Sequence, residues 1–355
     1  MNTEELTFEL HNRQLELKSE FRISRNSKEY TRNVFVEVTG GEATGYGGAA
    51  PSRYYGETPQ DVEEEADGMI KTIKDCSVDI SLDSGEGLDI VEERLQEEFP
   101  DVGSGTAAFS TALHDIALKK QERPLYRYLG AEPDPPPTSL TIGIKSKEEA
   151  VEKAKNALNN GFDVLKMKMG DEEDIERVSG VIKKIHDRST VRVDANEGWS
   201  LRESLRKTEI LDDLGVEFVE QPLPADAPRE SHREIHDKSG VPIALDESCV
   251  TPDDVSEVAD ICDIVVMKLM KVGGVRRGAQ FHREADKHGL EVMTGCMVES
   301  QASLSAGIHL SAFGNYADLD GTLLLADDPY SGVPYEGNEP VLNSVEKGTG
   351  VEPRG

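Results

Sequence analysis

The sequence predicts an α/β protein built on a TIM-type (β/α)8 barrel, preceded by a smaller α+β domain. From about residue 126, short apolar strand patterns alternate with amphipathic helical patterns, and the strand patterns start 21 to 28 residues apart. Eight strand patterns occur before the chain becomes rich in glycine and proline near residue 325. Parallel strands alternating with helices at such a period are typical of a (β/α)8 barrel.

The eight strand patterns are apolar segments with polar residues near their C-terminal ends. They are SLTIGI (139–144), DVLKMKM (163–169), TVRVDAN (190–196), VEFVEQP (216–222), PIALDES (242–248), DIVVMKL (263–269), EVMTGCM (291–297) and ADLDG (317–321). A doubly wound open sheet is the alternative fold. Such a sheet usually has a glycine-rich phosphate-binding turn after its first strand, and none is evident here.

The smaller α+β domain is predicted over residues 1–125. Two stretches, 6–21 and 29–41, alternate apolar and polar residues like the strands of a hairpin or meander. Three helical patterns follow, at 58–76 with Thr58 as N-cap, around 88–99 and around 105–120.

The proline-rich segment 130–139 is predicted to be a linker. Residues 126–324 are assigned to the barrel. Residues 325–355 are expected to return to the first domain.

Composition favours a folded protein of the reducing cytoplasm. No stretch approaches the 18 apolar residues of a membrane span, and the acidic N-terminus lacks the features of a secretory signal. The four cysteines are scattered without CxxC spacing, which argues against a zinc site or a disulfide framework. They are Cys76, Cys249, Cys262 and Cys296.

The acidic charge is spread along the whole chain. There are 69 Asp and Glu residues against 39 Lys and Arg residues, a formal net charge of −30 among 355 residues. Such a field repels nucleic acid and anionic membranes, so neither is expected as a partner. We interpret the excess as the solvated surface of a halophilic cytoplasmic protein.

Three acids occupy equivalent places on consecutive predicted strands. Asp194, Glu220 and Asp246 are each 26 residues apart, near the strand ends where barrel enzymes place their chemistry. Three carboxylates held together repel one another unless one is protonated or a cation is bound. Hard oxygen ligands suit Mg²⁺, with Mn²⁺ as the near alternative.

Lysines are predicted on both sides of these acids. Lys166 and Lys168 lie on the second strand and Lys268 on the sixth, which face each other across an eight-stranded ring. Neighbouring cations and a metal favour a neutral amine, so a lysine can act as a base near pH 7. Lys168 is predicted to be that base. Lys166 is predicted to lower its pKa and to touch the substrate or the metal-bound oxygens.

The combined motifs resemble those of the enolase superfamily, in particular its muconate-lactonizing subgroup. They are KMK (166–168), DAN (194–196), VEQP (219–222), DES (246–248), KLMKVGG (268–274) and GCMVES (295–300). By this resemblance the N-terminal domain is a capping domain, completed by the C-terminal segment. The protein is then expected to be a homo-oligomer.

The resemblance also implies the site. Asp194, Glu220 and Asp246 are the implied Mg²⁺ ligands, and Lys168 and Lys268 the acid/base pair. The shared step in this family is removal of a proton α to a carboxylate, giving an enediolate.

The strand-8 acids Asp318 and Asp320 resemble the DxD motif of dipeptide epimerases, where the acids bind the substrate's α-ammonium group. Epimerisation by 1,1-proton transfer at the second residue of a dipeptide is therefore the favoured reaction. A muconate- or chloromuconate-type cycloisomerase, an N-acylamino acid racemase and an o-succinylbenzoate synthase are the alternatives. Cycloisomerase substrates are dianions, which the two acids repel.

Further site residues follow from the resemblance. Asn196 and Glu247 are expected to orient the metal ligands. Substrate-lining positions are Thr141, Cys296, Met297 and Val298. A capping loop at 21–27 is expected to cover the substrate side chain, read by either Arg25 or Asn26. A second lid loop is expected at 46–57, with glycines that allow movement.

Other classes of protein remain as alternatives. A Schiff-base aldolase is also a barrel with a strand lysine, but it needs no metal, so the three acids in register argue against it. A non-catalytic barrel has no need of both the lysines and the acids. Lys271 is expected to face away from Lys268 along the strand, and Gly273–Gly274 is favoured as a turn over a phosphate cradle.

The charge generates a first testable prediction. We expect thermal unfolding midpoints to rise as KCl increases from about 0.1 to about 3 M, because salt screens repulsion between surface acids. Differential scanning calorimetry across the series measures this. Midpoints that fall or stay constant contradict a halophilic surface.

Overall fold

The capping domain begins with a three-stranded antiparallel sheet. In a computed structural model that describes residues 3–76, 85–101, 103–185 and 189–355, the strands are β1 (Thr7–Arg22), β2 (Ser27–Gly40) and β3 (Ala43–Ala49), in that order. The predicted strand pair is confirmed as β1 and β2. Their connection, residues 23–26, is the first lid loop.

The third strand corrects one expectation. Segment 46–57 was expected to be a mobile loop, but its first part is β3, and only residues 50–57 form what we call the second lid loop. Gly47 and Gly48 allow β3 to pack closely against neighbouring helices. A Cβ on Gly47 would lie 2.0 Å from the Ala108 carbonyl oxygen, and one on Gly48 would lie 3.2 Å from Ser303.

Helices cover the capping sheet. They are α1 (Pro59–Asp75), α2 (Gly85–Glu98), α3 (Gly103–Lys120) and α4 (Leu125–Leu129). Thr58 caps α1 as predicted, since its side chain accepts from Asp61 N while the Asp61 carboxylate accepts from Thr58 N. The apolar residues of the sheet and of α1–α3 form one buried cluster, which includes Val34, Val36 and Phe109.

The barrel prediction is confirmed. Eight parallel strands pair in chain order, and a bridge between Thr138 and Ala317, with the Ser139 N–H donating to Ala317 O at 3.1 Å, joins the first strand to the last. The strands are β4 (Leu140–Ile142), β5 (Val164–Lys168), β6 (Thr190–Asp194), β7 (Val219–Glu220), β8 (Ile243–Leu245), β9 (Ile264–Lys268), β10 (Glu291–Gly295) and β11 (Tyr316–Asp318).

Each strand is shorter than its predicted pattern, because the polar residues beyond its end belong to loops. Asp320 is therefore past β11, not on it.

The barrel helices pack outside the strands. They are α5 (Lys147–Asn159), α6 (Asp174–Ile185), α7 (Leu201–Asp213), α8 (Arg229–Lys238), α9 (Val255–Val258), α10 (Leu269–Val272), α11 (Val275–His288) and α12 (Gln301–Ser311). Their apolar faces and the outward strand residues form the largest buried cluster. Among the helices described, none combines the length and apolarity needed to cross a membrane.

The C-terminal segment contacts both the capping sheet and the barrel. It contains the short strands β12 (Tyr330–Ser331), β13 (Tyr335–Glu336), β14 (Glu339–Pro340) and β15 (Glu352–Pro353). The buried Asp115 carboxylate of α3 accepts from Tyr46 N at 3.0 Å and from Thr349 N at 2.7 Å. Tyr330 donates to Glu37 of β2.

Glu92 of α2 connects the capping domain to the turn after β9. Its buried carboxylate accepts from the Arg276 and Arg277 amides at the start of α11, at 3.1 and 3.0 Å. A Cβ on Gly274 would lie 2.6 Å from this carboxyl group. The first amides of α11 are therefore occupied by a carboxylate of the protein itself. This favours a turn at Gly273–Gly274 over a phosphate cradle.

Candidate active site at the mouth of the barrel

The C-terminal ends of the barrel strands face a cavity of about 870 Å³. Both lid loops close its other side. Its lining includes the predicted residues Arg25, Asn26, Thr141, Lys168, Asn196, Asp246, Glu247, Lys268, Cys296, Met297, Val298, Asp318 and Asp320. Lys166, Asp194 and Glu220 lie beneath this surface, with at most 1% of each side chain exposed.

Lys166 connects carboxylates from three strands. Its Nζ lies 2.6 Å from Glu220 Oε2, 2.7 Å from Asp318 Oδ2 and 3.1 Å from Asp194 Oδ2. A buried ammonium group requires such partners, because desolvation of an unpaired charge costs several kcal/mol. The pairing of Lys166 across the mouth explains why β5 carries a fully buried lysine.

Lys168 and Lys268 lie on opposite sides of the ring, at the ends of β5 and β9, with β6, β7 and β8 between them on one side. Lys168 Nζ is 2.6 Å from Asp194 Oδ2, and Lys268 Nζ is 2.5 Å from Asp246 Oδ2. Each lysine of the predicted acid/base pair therefore contacts one predicted metal ligand and also faces the cavity.

Lys271 also holds Asp246, which differs from the expectation that it faces away. The chain turns into α10 after Lys268, so the alternation of a strand no longer applies. Lys271 Nζ donates to Asp246 Oδ1 at 2.7 Å and to the carbonyl oxygens of Asp246, Cys249 and Val266. With no exposed side-chain surface, Lys271 anchors the DES loop from behind.

The acids at the ends of β6, β7 and β8 fit a hard divalent cation. Both carboxylate oxygens of Glu220 are buried; among the described residues Oε1 has no polar partner, and Oε2 is paired with the Lys166 ammonium group. Burial, followed by repulsion from Asp194, raises the pKa of Glu220 to about 8. A buried carboxylate with unused lone pairs is suited to ligating a cation.

The other two acids are held ionised. Burial opposes their charge, but Lys168 and Lys166 hold the pKa of Asp194 below its ordinary value. Lys268 and Lys271 do the same for Asp246. Asn196 Oδ1 and Glu247 Oε2 are also buried, and neither accepts a hydrogen bond from the residues that the structure describes.

Neighbouring carboxylates raise the pKa values of two buried lysines of the site, Lys268 and Lys166. Burial lowers the pKa of Lys268, but Asp246 and Glu220 outweigh it and raise the pKa above the ordinary value. The pKa of Lys166 is raised in the same way by Asp318 and Glu220. The nearest charges to these two lysines are carboxylates, so their ammonium forms are favoured.

Asp318 and Asp320 converge although only Asp318 is on a strand. Ser139 Oγ donates to Asp318 Oδ1 at 2.5 Å, and the Thr141 amide donates to Asp320 Oδ2 at 2.6 Å. Burial and the charge of Asp318 raise the pKa of Asp320 to about 7. Thr141 thus orients an acid as well as lining the cavity.

The lid loops place Arg25 against the barrel. Its guanidinium contacts the carboxylates of Glu197 and Glu247, the latter at 2.6 Å. Asn26 lines the cavity and its carbonyl oxygen accepts from Ile23 N. Sequence reasoning missed Glu197, which follows the DAN motif in a stretch without a periodic pattern. Its positive φ of 67° is visible only in the structure.

Comparison with known proteins identifies the family. The model of the family described as "Enolase C-terminal domain-like" matches residues 149–354. The chain belongs to the enolase superfamily. This enolase-superfamily enzyme is 33% identical over 338 residues to an L-Ala-D/L-amino acid epimerase of Flavobacterium johnsoniae, covering 95% of this chain and 96% of the relative. An L-Ala-D/L-Glu epimerase of Clostridium acetobutylicum is 32% identical, with 95% of each chain covered.

A solved structure also matches this enolase-superfamily enzyme over nearly its whole length. It is a dipeptide epimerase from Methylococcus capsulatus in complex with Mg and the dipeptide L-Arg-D-Lys, with a TM-score of 0.88 and 32% identity. The match covers 97% of this chain and 98% of the other. The predicted resemblance and the predicted fold are both confirmed.

Substitutions of Lys268 and Lys271 are predicted to have different effects on stability. Lys271→Met removes four buried hydrogen bonds, so we expect it to lower the free energy of unfolding by about 3 kcal/mol. Lys268→Met removes one ion pair at the cavity surface, so we expect a smaller loss of stability together with loss of activity. Urea unfolding of both variants measures the difference. Equal destabilisation contradicts the anchoring role of Lys271.

Proposed function

We propose that this protein is a dipeptide epimerase that moves the α-proton of the second residue from one face to the other. The observation that carries the proposal is the opposed pair Lys168 and Lys268 above three in-register carboxylates, beside Asp318 and Asp320. An α-carbon held between two lysines can lose a proton to the amine on one side. It can then regain one from the ammonium group on the other.

The proposed cation is Mg²⁺, held by Asp194, Glu220 and Asp246, with Mn²⁺ as the alternative. The buried Glu220 Oε1, which has no partner among the described residues, and the Mg in the related epimerase structure support this. When bound, such an ion stabilises the negative charge that develops on the substrate carboxylate. Asn196 and Glu247 are proposed to orient the ligands: the Asn196 backbone amide donates to Asp194 Oδ1 at 2.8 Å, and its side-chain amide lies 3.4 Å from Glu247 Oε1.

Asp318 and Asp320 are proposed to bind the α-ammonium group of the dipeptide. Both are buried side by side at the cavity and oriented by Ser139 and Thr141. Two adjacent carboxylates favour a cationic partner, and an N-acylated or dianionic substrate lacks one. Cys296, Met297 and Val298 also line the cavity and are proposed to contact the dipeptide.

The test is proton exchange with solvent. We expect the protein with Mg²⁺ in D₂O and molar KCl to place deuterium at the α-carbon of the second residue of some L,L-dipeptides. Mass spectrometry of dipeptide pools detects the gain, and NMR of the responding dipeptides locates it. Absence of exchange in every pool, with metal bound, contradicts dipeptide epimerisation.

A substitution then separates the related reactions. We expect Asp320→Asn to reduce kcat/KM for the responding dipeptides by about 100-fold, because one charge-assisted contact to the ammonium group is lost. N-acylated amino acids with the same second residue are the control, since they carry no ammonium group. If the wild-type protein racemises the N-acylated compounds instead, and Asp320→Asn tolerates them, the protein is an N-acylamino acid racemase.

A further inference from the structure

The tip of the first lid loop is packed against barrel loops. The Ser24 hydroxyl donates to the Asn196 carbonyl oxygen at 2.8 Å. A Cβ on Gly170 would lie 2.4 Å from Ser24 Cβ, and one on Gly198 would lie 3.2 Å from it. The loops after β5 and β6 therefore provide a seat for the tip. Arg25 follows Ser24 directly in the chain, so the packing of Ser24 fixes the position from which the Arg25 side chain extends.

Arg25 makes contacts in three directions from this seat. One guanidinium nitrogen contacts Glu197, a second lies 2.6 Å from Glu247 Oε1, and the planar group lies 4.2 Å from the ring centroid of Tyr54. Only 29% of the side chain remains exposed. The planar guanidinium group presents separate nitrogens to the two carboxylates while one of its faces covers the Tyr54 ring, an arrangement that a lysine ammonium group does not reproduce.

Glu197 joins the second lid loop to the same point. Its carboxylate Oε1 accepts from the Tyr54 hydroxyl at 2.8 Å and from the Ala225 amide at 2.7 Å. The residue has a φ of 67°, and Asn196 before it has a φ of 41°. A non-glycine residue in this region costs about 1 kcal/mol or more, and such conformations concentrate at sites where a side chain must be aimed.

The other carboxylate leads to the proposed metal site. Glu247 follows Asp246 in the chain, its side chain is 1% exposed, and the Asn196 amide lies 3.4 Å from its Oε1. Arg25 is therefore the point at which both lid loops meet the residues that orient the metal ligands.

We propose that Arg25 is a positioning residue that fastens both lid loops to Glu197 and Glu247, and that it does not read the charge of the substrate side chain. The kinetic test of this inference, given below, rests on the proposed dipeptide epimerisation. Both carboxylates that Arg25 meets belong to the protein, so its charge is already matched within the site. Discrimination among second residues then falls to other residues that line the cavity.

The first experiment measures amide hydrogen exchange of the lid peptides without substrate. We expect Arg25→Met to increase deuterium uptake in both lid loops, 23–26 and 50–57, and Arg25→Lys to do so less. Glu197→Gln, which keeps the shape of the side chain, should loosen both loops as well. Arg22→Met is the matched control, since Arg22 is exposed and makes no ion pair within the described part of the chain. Unchanged uptake in loop 50–57 of Arg25→Met overturns the proposal.

The second experiment compares dipeptides with acidic, neutral and basic second residues. We expect Arg25→Met to lower kcat/KM by a similar factor, about 100-fold, for every dipeptide that the wild-type protein accepts. Arg25→Lys should recover part of that loss. A loss confined to acidic second residues overturns the proposal and makes Arg25 the reader of the side chain. If wild-type protein accepts no dipeptide, the proposed function fails, while the exchange experiment still decides whether Arg25 fastens the loops.

Discussion

The site depends on one constraint, which is that its buried acids and buried lysines can be kept out of water only together. Asp194, Glu220 and Asp246 are each at most 1% exposed, and so is Lys166. Either set alone carries a desolvation cost that no packing at the barrel mouth offsets. Each acid sits at the end of one strand and faces a lysine from another, so the closed ring of β4–β11 is what makes the array possible. Within the described residues, the same array leaves Glu220 Oε1 without a partner, and this is the place proposed for the cation.

The constraint extends outward from the strands. Lys271 anchors the loop that carries Asp246 and Glu247, while Glu92 of the capping domain holds the turn that follows Lys271. From the lid loops, Arg25 contacts Glu197 and Glu247. The capping domain therefore contacts the barrel loops at two places, one through Glu92 and one through Arg25. Loss of these outer contacts is therefore expected to affect the chemistry.

Sequence patterns predicted the parts of the structure that depend on periodicity. Alternation and spacing gave the eight barrel strands, the helices between them and the convergence of residues such as Asp194 and Lys268, because parallel strands bring their ends to one edge. The Thr58 cap was predictable because capping is local. Patterns could not predict β3, because its glycines are typical of a loop. Only the structure shows that they pack closely against Ala108 and Ser303. They also missed Glu197, whose role depends on backbone torsions and on partners far away in the chain. The raised pKa values of Lys166 and Lys268 depend on which charges lie nearest, and sequence patterns do not show this.

The most direct test of the account is the binding of a divalent cation. Titration of the protein with Mn²⁺ in molar KCl, followed by electron paramagnetic resonance of the free ion, counts the sites above the background of surface acids. The account predicts one tight site per chain, weakened at least about 100-fold in Glu220→Gln. The site should be unchanged in Glu217→Gln, whose carboxylate bonds to Arg192 outside the predicted ligand set. A tight site that survives in Glu220→Gln, or no tight site in the wild-type protein, contradicts the account.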